Sequence, residues 1–411
     1  MKVLLINKFL YPKGGDAVCT LSTGELLSRK GHQVFYWGMK HPDNPAFPHS
    51  EYFIENIDYD RKMSKKDKTF KALKIFYSLE AKKKINKLIK EIKPDIVHLN
   101  NFAHQISPSI LYIFKKYNIP VVMTMHDYKL VCPAYLLFSG NKICESCRDG
   151  RYYWCLFKKC VKKSYAKSLI NAMEMYLHHK ILRAYSLINL YIAPSMFLRD
   201  KVKQMGFKNE IVHLPNFVNL DKFVPNYEHN NEICYFGRLS PEKGLGVLID
   251  AVKGLDIRLK IIGSGPVEEK LREKVKNEQI NNISFLGYKT GIFLENEIRK
   301  SIVTIMPPQW YEVFPRAVIE SFSLGKPVIG ARIGGIRELV KDGETGYTFE
   351  PGDPKDLRKK IVKLLEDRDK IVSMGKTARK FVEENFDSEK HYVKLINVYE
   401  MAIKKVKSNE A

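Results

Sequence analysis

Short apolar runs alternate along the whole chain with longer stretches in which apolar side chains return every three or four positions. Runs of about four to eight residues are the pattern of strands buried on both faces, and the longer stretches are that of helices with one apolar stripe. Their alternation predicts parallel sheets covered by helices. The expected strands in the first half are Val3 to Asn7, Gln33 to Gly38, Asp95 to Asn100, Pro120 to His126 and Leu190 to Pro194. In the second half they are Ile233 to Arg238, Ile257 to Gly263, Ile283 to Gly287, Val303 to Pro307, Pro327 to Ala331 and Gly346 to Glu350. This is an α/β class chain with two doubly wound, Rossmann-like domains.

The 411 residues exceed what one core usually serves. We place the first domain at 1–212, with a cysteine-rich insertion at 132–163, and a linker at 213–231. Pro215, Pro225 and the polar run Glu228 to Asn231 read there as punctuation. A second domain follows at 232–385. The segment 386–411 reads as a helix, with apolar Tyr392, Leu395, Ile396, Val398, Tyr399, Met401 and Ile403. No run of about 18 apolar residues is present and the chain enters a strand at once, so neither a membrane span nor a signal peptide is expected. A cytoplasmic location is expected.

Ligands of open α/β sheets bind beyond the carboxyl ends of the strands, which directs attention to the residues after each one. After the first come Tyr11-Pro12-Lys13-Gly14-Gly15-Asp16, opening a helix. Paired glycines allow close backbone approach, and a helix start favours anions. Gly237-Arg238-Leu239-Ser240-Pro241-Glu242-Lys243-Gly244 puts a guanidinium and an ammonium around one turn, a pair suited to gripping phosphates. Glu312-Val313-Phe314-Pro315-Arg316-Ala317-Val318-Ile319-Glu320 joins a proline turn to a helix with a carboxylate at each end. Gly263-Ser264-Gly265-Pro266 and Leu286-Gly287 close two further strands, and His126-Asp127 ends a strand of the first domain. Each motif also has a plain reading as a turn or a surface pair.

Taken together, the Gly-Arg strand end, the lysine five residues later and the Glu-x7-Glu segment resemble family 4 glycosyltransferases of the GT-B fold, and the likeness runs over most of the chain. The resemblance implies two Rossmann-like domains facing across a cleft, with the last helix crossing back onto the first domain. It implies a retaining transfer from a nucleotide diphosphate-sugar donor to an acceptor hydroxyl, with no cofactor required for catalysis. Arg238 and Lys243 would stabilise the leaving diphosphate, Glu312 would contact the donor sugar, and His126 would sit close to that sugar. Gly14, Gly15, Gly263, Gly265, Leu286, Phe314, Pro315, Arg316, Ala317 and Glu320 would bind the donor, and Asp127 lies on the acceptor side. Val313-Phe314-Pro315 stands where many members have Gly-Phe-Gly. A glycan or lipid-linked acceptor in cell-surface glycan or glycolipid synthesis is the expected setting. The rival readings are a phosphorylase or sugar-phosphate transferase using the same cleft, and a non-catalytic basic binding protein on the same scaffold.

Two features fall outside that scheme. Five of seven cysteines crowd together as Cys132, Cys144, Cys147, Cys155 and Cys160. Cys144, Cys147, Cys155 and Cys160 could enclose a structural zinc, with Cys132 as an alternative ligand; free thiols and disulfides are the competing readings. The formal charge is +23, and lysines concentrate between Lys62 and Lys90, including Lys65, Lys66, Lys68, Lys71 and Lys74. Interleaved with Phe70, Leu73, Phe76, Ile85 and Leu88, they read either as a face for an anionic membrane, which would make the protein peripheral there, or as a solvated helix face. No nucleic-acid module accompanies them, and no nucleic-acid partner is expected.

Overall fold

The computed structural model describes residues 1–57 and 74–408. In chain order its strands are β1 (Lys2–Ile6), β2 (Gln33–Trp37), β3 (Ile96–Leu99), β4 (Val121–Thr124), β5 (Phe138–Ser139), β6 (Lys142–Ile143), β7 (Leu190–Ala193) and β8 (Ile211–His213). The second half adds β9 (Glu232–Phe236), β10 (Arg258–Ile262), β11 (Ile283–Gly287), β12 (Val303–Met306), β13 (Val328–Ala331) and β14 (Gly346–Phe349). They form two parallel sheets, ordered β2-β1-β3-β4-β7-β8 and β11-β10-β9-β12-β13-β14, with β5 and β6 as a separate hairpin. The expected pair of doubly wound domains is therefore the architecture observed, and all eleven apolar runs become strands of it. The edge strand β8 carries no such apolar run, and it reaches His213, inside the stretch read as linker.

Strand order fixes where chemistry can gather. In the first sheet β2 lies to one side of β1 and β3 to the other; in the second, β10 and β12 flank β9 in the same way. Connections leave in opposite directions at such points, so a crevice opens there at the carboxyl ends. The segments after β1 and β3 are tied by Lys8 N–H donating to Asn101 O at 2.7 Å. Those after β9 and β12 are tied by Gln309 N–H donating to Glu242 O at 2.9 Å.

Residues beyond the strand ends of one domain touch those of the other. Ser195 Oγ, after β7, donates to Val313 O at 2.5 Å, and Tyr128, after β4, meets Trp310 edge-on at 6.4 Å. Glu338 accepts from Met196 and Phe197 N–H at 3.0 and 2.6 Å, so a carboxylate of the second domain caps a helix of the first. The helix Ser388–Ser408 returns to the first domain, burying Leu395, Val398, Tyr399 and Ala402 against Val3, Leu5, Ile96 and Val122. Each large apolar side chain so covered contributes about 1.5–3 kcal/mol. His98 locks the contact, one ring nitrogen 2.8 Å from Tyr399 Oη and the other 2.7 Å from Thr124 Oγ1.

Lys62, Lys65, Lys66, Lys68 and Lys71, with Phe70 and Leu73, lie outside the described residues. The described remainder is the helix Leu79–Ile92, capped by Ser78 accepting from Ala81 N–H at 3.1 Å. Its apolar side, Ala81, Ile85, Leu88, Ile89 and Ile92, is committed to the core of the first domain, so it cannot also enter a bilayer. Lys74 pairs with Glu80 at 2.7 Å, and Lys84 donates to Phe53 O at 2.6 Å. Among the described residues no helix is long and apolar enough to cross a membrane.

Candidate active site

Each side of the cleft is built by a turn that its neighbour holds in place. Lys243 ends a single helical turn, Pro241–Lys243, and the next residue, Gly244, has φ +69°. A Cβ at Gly244 would stand 1.9 Å from Pro307 O, so only glycine lets this turn press against the end of β12. That contact brings Lys243 Nζ onto the carboxylate of Glu312, which also accepts from Trp310 Nε1 at 2.9 Å. The lysine lies 5.2 Å from the Trp310 ring centroid. Glu312 is only 8% exposed, and its carbonyl accepts from Gly335 N–H at 2.7 Å, so its position is set by backbone as well as by charge. Arg238, from the same strand end as Lys243, instead stands exposed on the lip. Its charge is felt by the Tyr135 hydroxyl of the first domain.

Pro315 is the cap of the helix Arg316–Ser323, which carries Arg316 in its first turn and Glu320 one turn on. The two pair at 3.1 Å, while Arg316 Nη1 reaches Phe217 O at 3.4 Å. Arg316 also bridges the domains, for its Cδ lies 3.7 Å from where a Cβ on Gly15 would be. Gly15 thus lies against the Arg316 side chain at the start of the second domain's helix. Ala317 follows Arg316, and Phe314 packs edge-on against Phe386 at 5.6 Å, anchoring the loop rather than lining open space.

His126, at the end of β4, faces the same space. Its Nε2 is 2.8 Å from Asn100 Oδ1, so it donates there and leaves Nδ1 as an acceptor. Burial pulls its pKa down to about 4, Arg316 pushes the same way and Asp16 opposes them. The ring is therefore neutral near pH 7 and suited to hydrogen bonding rather than proton donation. Asp127 turns away to accept from Lys129 N–H at 2.8 Å; burial raises its pKa, offset by Lys8 and Lys129.

Four groups here have no role assigned in the sequence reading. Lys8 is half-buried within electrostatic reach of Asp16 and Asp127, and the loss of solvent around it lowers its pKa. Asp16 Oδ2 and Asn100 Nδ2 are buried with no hydrogen-bond partner among the described residues. Trp310 was legible only as an aromatic two residues before Glu312; its role depends on the loop folding back.

Gly263 and Gly265 are placed by packing between strand ends. Gly263 has φ +142°, and a Cβ there would lie 1.9 Å from Gly237 O; at Gly265 it would lie 2.3 Å from Leu239 O. Leu286 is half-buried against the second core beside them. These residues shape the Arg238 turn, and among the described residues no hydrogen bond joins them to Lys243 or Glu312.

All seven cysteines are free. Among the described residues no three His, Cys, Asp or Glu side chains converge so as to hold a metal ion, so the zinc expectation gains no support from the geometry. Cys144 engages Lys158 Nζ at 3.5 Å and Ser146 Oγ at 3.7 Å. Cys147 and Cys155 instead pack with Tyr152, Ala172 and Met175 in a small satellite core, Cys160 at its margin, and burial pushes the Cys132 thiol up to about 11. The neighbouring Cys155 thiol lowers the pKa of Cys160. The insertion reaches the cleft through Glu145, which accepts from Tyr311 Oη at 3.0 Å and pairs with Lys201 at 2.7 Å.

The chain is similar to known proteins along most of its length. Residues 13–222 match the family described as Glycosyltransferase Family 4, and residues 218–381 match Glycosyl transferases group 1. An uncharacterized glycosyltransferase of Methanocaldococcus jannaschii is 29% identical over 209 residues, covering 51% of this chain and 58% of that protein. The N-acetyl-alpha-D-glucosaminyl L-malate synthase of Bacillus anthracis is 24% identical, with 94% of each covered. Among solved structures, sucrose-phosphate synthase of Thermosynechococcus elongatus superposes with a TM-score of 0.73 at 18% identity, covering 98% of this chain and 99% of that one. Anabaena HepE in complex with UDP and glucose gives 0.67 at 17% identity, covering 97% and 99%.

Proposed function

Because the chain belongs to the family 4 glycosyltransferases of the GT-B fold, we propose that it transfers a sugar, with retention, from a nucleotide diphosphate-sugar to an acceptor hydroxyl. The observation that carries this is the meeting of Lys243 and Glu312 at the β9/β12 crevice, on the loop whose following helix sets Arg316 against Gly15 of the first domain. A lysine already held by a carboxylate is pre-positioned for a diphosphate, because the phosphate charge takes over the pairing when donor binds. Arg238 on the lip adds a planar donor fork for the second phosphate. Glu312, relieved of its lysine, accepts from sugar hydroxyls, and neutral His126 offers Nδ1 to another. The acceptor hydroxyl attacks from the face the diphosphate leaves, and the departing oxygen takes its proton. Positive side chains stabilise that charge, so the reaction as proposed uses no cofactor.

For the acceptor we propose a glycan or lipid-linked molecule of the cell surface, met by a protein that is cytoplasmic and peripheral to the membrane. Domain limits of 1–212 and 232–385, joined by 213–231 and followed by the helix of 386–411 on the first domain, are proposed as the two units of this scheme. Donor screening tests the scheme: a true nucleotide-sugar at a hundred times its dissociation constant stabilises the fold by about 2.7 kcal/mol. Stabilisation by no nucleotide-sugar would overturn it. Product formation from inorganic phosphate in place of a hydroxyl acceptor would favour the phosphorylase reading.

A further inference from the structure

The insertion carries an uncovered apolar face. Trp154 and Phe157 on one short helix, with Tyr153 before them, form a mutual aromatic cluster with ring centroids 5.7–6.4 Å apart. All three are exposed, Phe157 at 65%. Beside them the helix Tyr165–Tyr176 shows Tyr165, Leu169 and Met173, spaced one turn apart, to solvent, while Ser168, Asn171, Ala172 and Met175 face inward. Lys159 Nζ lies 4.2 Å from the Tyr165 ring centroid and joins the two patches. The satellite core of Cys147, Tyr152, Cys155, Ala172 and Met175 fastens the short helix to the long one, so the face is a fixed surface.

Its charge says what would cover it. Residues 151–181 contain seven lysines and arginines and a single acid, Glu174. That acid is fully buried and paired with Lys129 at 2.5 Å, so it offsets nothing outside. Lys159, Lys162, Lys163 and Lys167 are exposed around the aromatics. Amphipathic rings and aliphatic side chains within a lysine border match the boundary between lipid headgroups and acyl chains, where tryptophan and tyrosine concentrate. The helix Leu79–Ile92 lacks this combination, because its apolar side is spent on the core.

We propose that the face formed by Tyr153, Trp154, Phe157, Tyr165, Leu169 and Met173 docks on an anionic lipid bilayer. This rests on the lipid-linked acceptor class proposed above. Through the Glu145–Tyr311 contact, the same insertion stands at the cleft, so docking sets the mouth of the site against the surface that presents the acceptor.

The chain has a built-in reporter. Of its three tryptophans Trp37 and Trp310 are buried and Trp154 is 39% exposed. With full-length protein and phosphatidylcholine vesicles containing a quarter phosphatidylglycerol, emission should shift to the blue and acrylamide quenching should fall. Trp154→Phe should abolish the signal while the protein still sediments with vesicles. Phe157→Glu with Leu169→Glu should lose sedimentation. Replacing Lys159, Lys162, Lys163 and Lys167 with glutamine should weaken binding tenfold or more, since each lysine near an anionic surface contributes up to roughly a fivefold gain. Changing Lys83, Lys87 and Lys90 to glutamine should cost far less. Quenching of Trp154 that is unchanged on vesicle binding overturns the assignment. So does normal sedimentation of the double glutamate variant, or loss only in the Lys83 set. Equal binding of soluble polyphosphate without a blue shift assigns the face to a soluble polyanion instead. The donor-induced thermal shift, read on the same proteins, reports the transfer reading separately and should be unaltered in every variant.

Discussion

Exchange of Lys243 between Glu312 and a donor diphosphate predicts opposite behaviour for substitutions at the two partners. The ion pair is partly buried, with side chains 25% and 11% exposed, so as a charge-assisted bond it contributes on the order of 1.5–3 kcal/mol to the free protein. Lys243→Ala removes it and leaves Glu312 with Trp310 Nε1 as its remaining side-chain partner. Melting should fall by about 2–4 °C per kcal/mol lost for domains of this size. The larger effect is expected on transfer. Removing one preorganised charge contact to a developing anion costs about 2.7–4 kcal/mol, or 100- to 1,000-fold in turnover. Glu312→Gln is expected to behave differently, because it frees the lysine. Nucleoside diphosphate should bind it as tightly as wild type or more so, while transfer falls through loss of the sugar contact. Calorimetric titration with a panel of nucleoside diphosphates and a steady-state transfer assay on both variants separate these outcomes. Wild-type nucleotide affinity in Lys243→Ala, or parallel weakening in both variants, would refute the exchange.

Gly15→Ala creates no clash and needs no unusual φ, since its Cβ would meet Arg316 at an ordinary 3.7 Å; it should fold normally yet slow transfer if donor passes beneath Arg316, and unchanged kinetics would remove this loop from the site. Gly244→Ala should lose stability outright, by more than about 1 kcal/mol in denaturant unfolding, because a Cβ 1.9 Å from Pro307 O cannot be accommodated at φ +69°. Four histidines held away from solvent predict acid lability: desolvation lowers His98 and His179 to about 3 and His126 and His391 to about 4, so the unfolded chain binds more protons below the ordinary value near 6.5. Stability then falls with pH from about 6.5 down to the folded values, at up to about 1.4 kcal/mol per pH unit for each fully titrating site, and flat unfolding midpoints between pH 7 and 5 would contradict this. Neutral His126 makes transfer insensitive to its titration above about pH 5, which a pH–rate profile of His126→Gln against wild type would check.

Much of this molecule is written locally. Apolar runs such as Val303 to Pro307 determine strands, because a segment buried on both faces needs no partner to be legible. The turns that carry Lys243 and Glu312 are marked by proline and glycine, whose backbone limits are intrinsic. Other features depend on which elements become neighbours. Lys243 and Glu312 are 69 residues apart and meet only because β12 is laid against β9. Lys8, Asp16 and Asn100 are drawn out of solvent together only once β1 and β3 are adjacent, and nothing in their local spacing marks them. The cysteines read as ligands by spacing, yet packing makes Cys147 and Cys155 part of a small apolar core. The lysine-rich helix at Leu79–Ile92 reads as amphipathic in isolation, and the tertiary structure decides that its apolar stripe faces protein. Periodicity reports that an apolar face exists; only the packed chain determines what covers it, which is why Trp154 and Phe157 could be read in the sequence but not known to be left in the open.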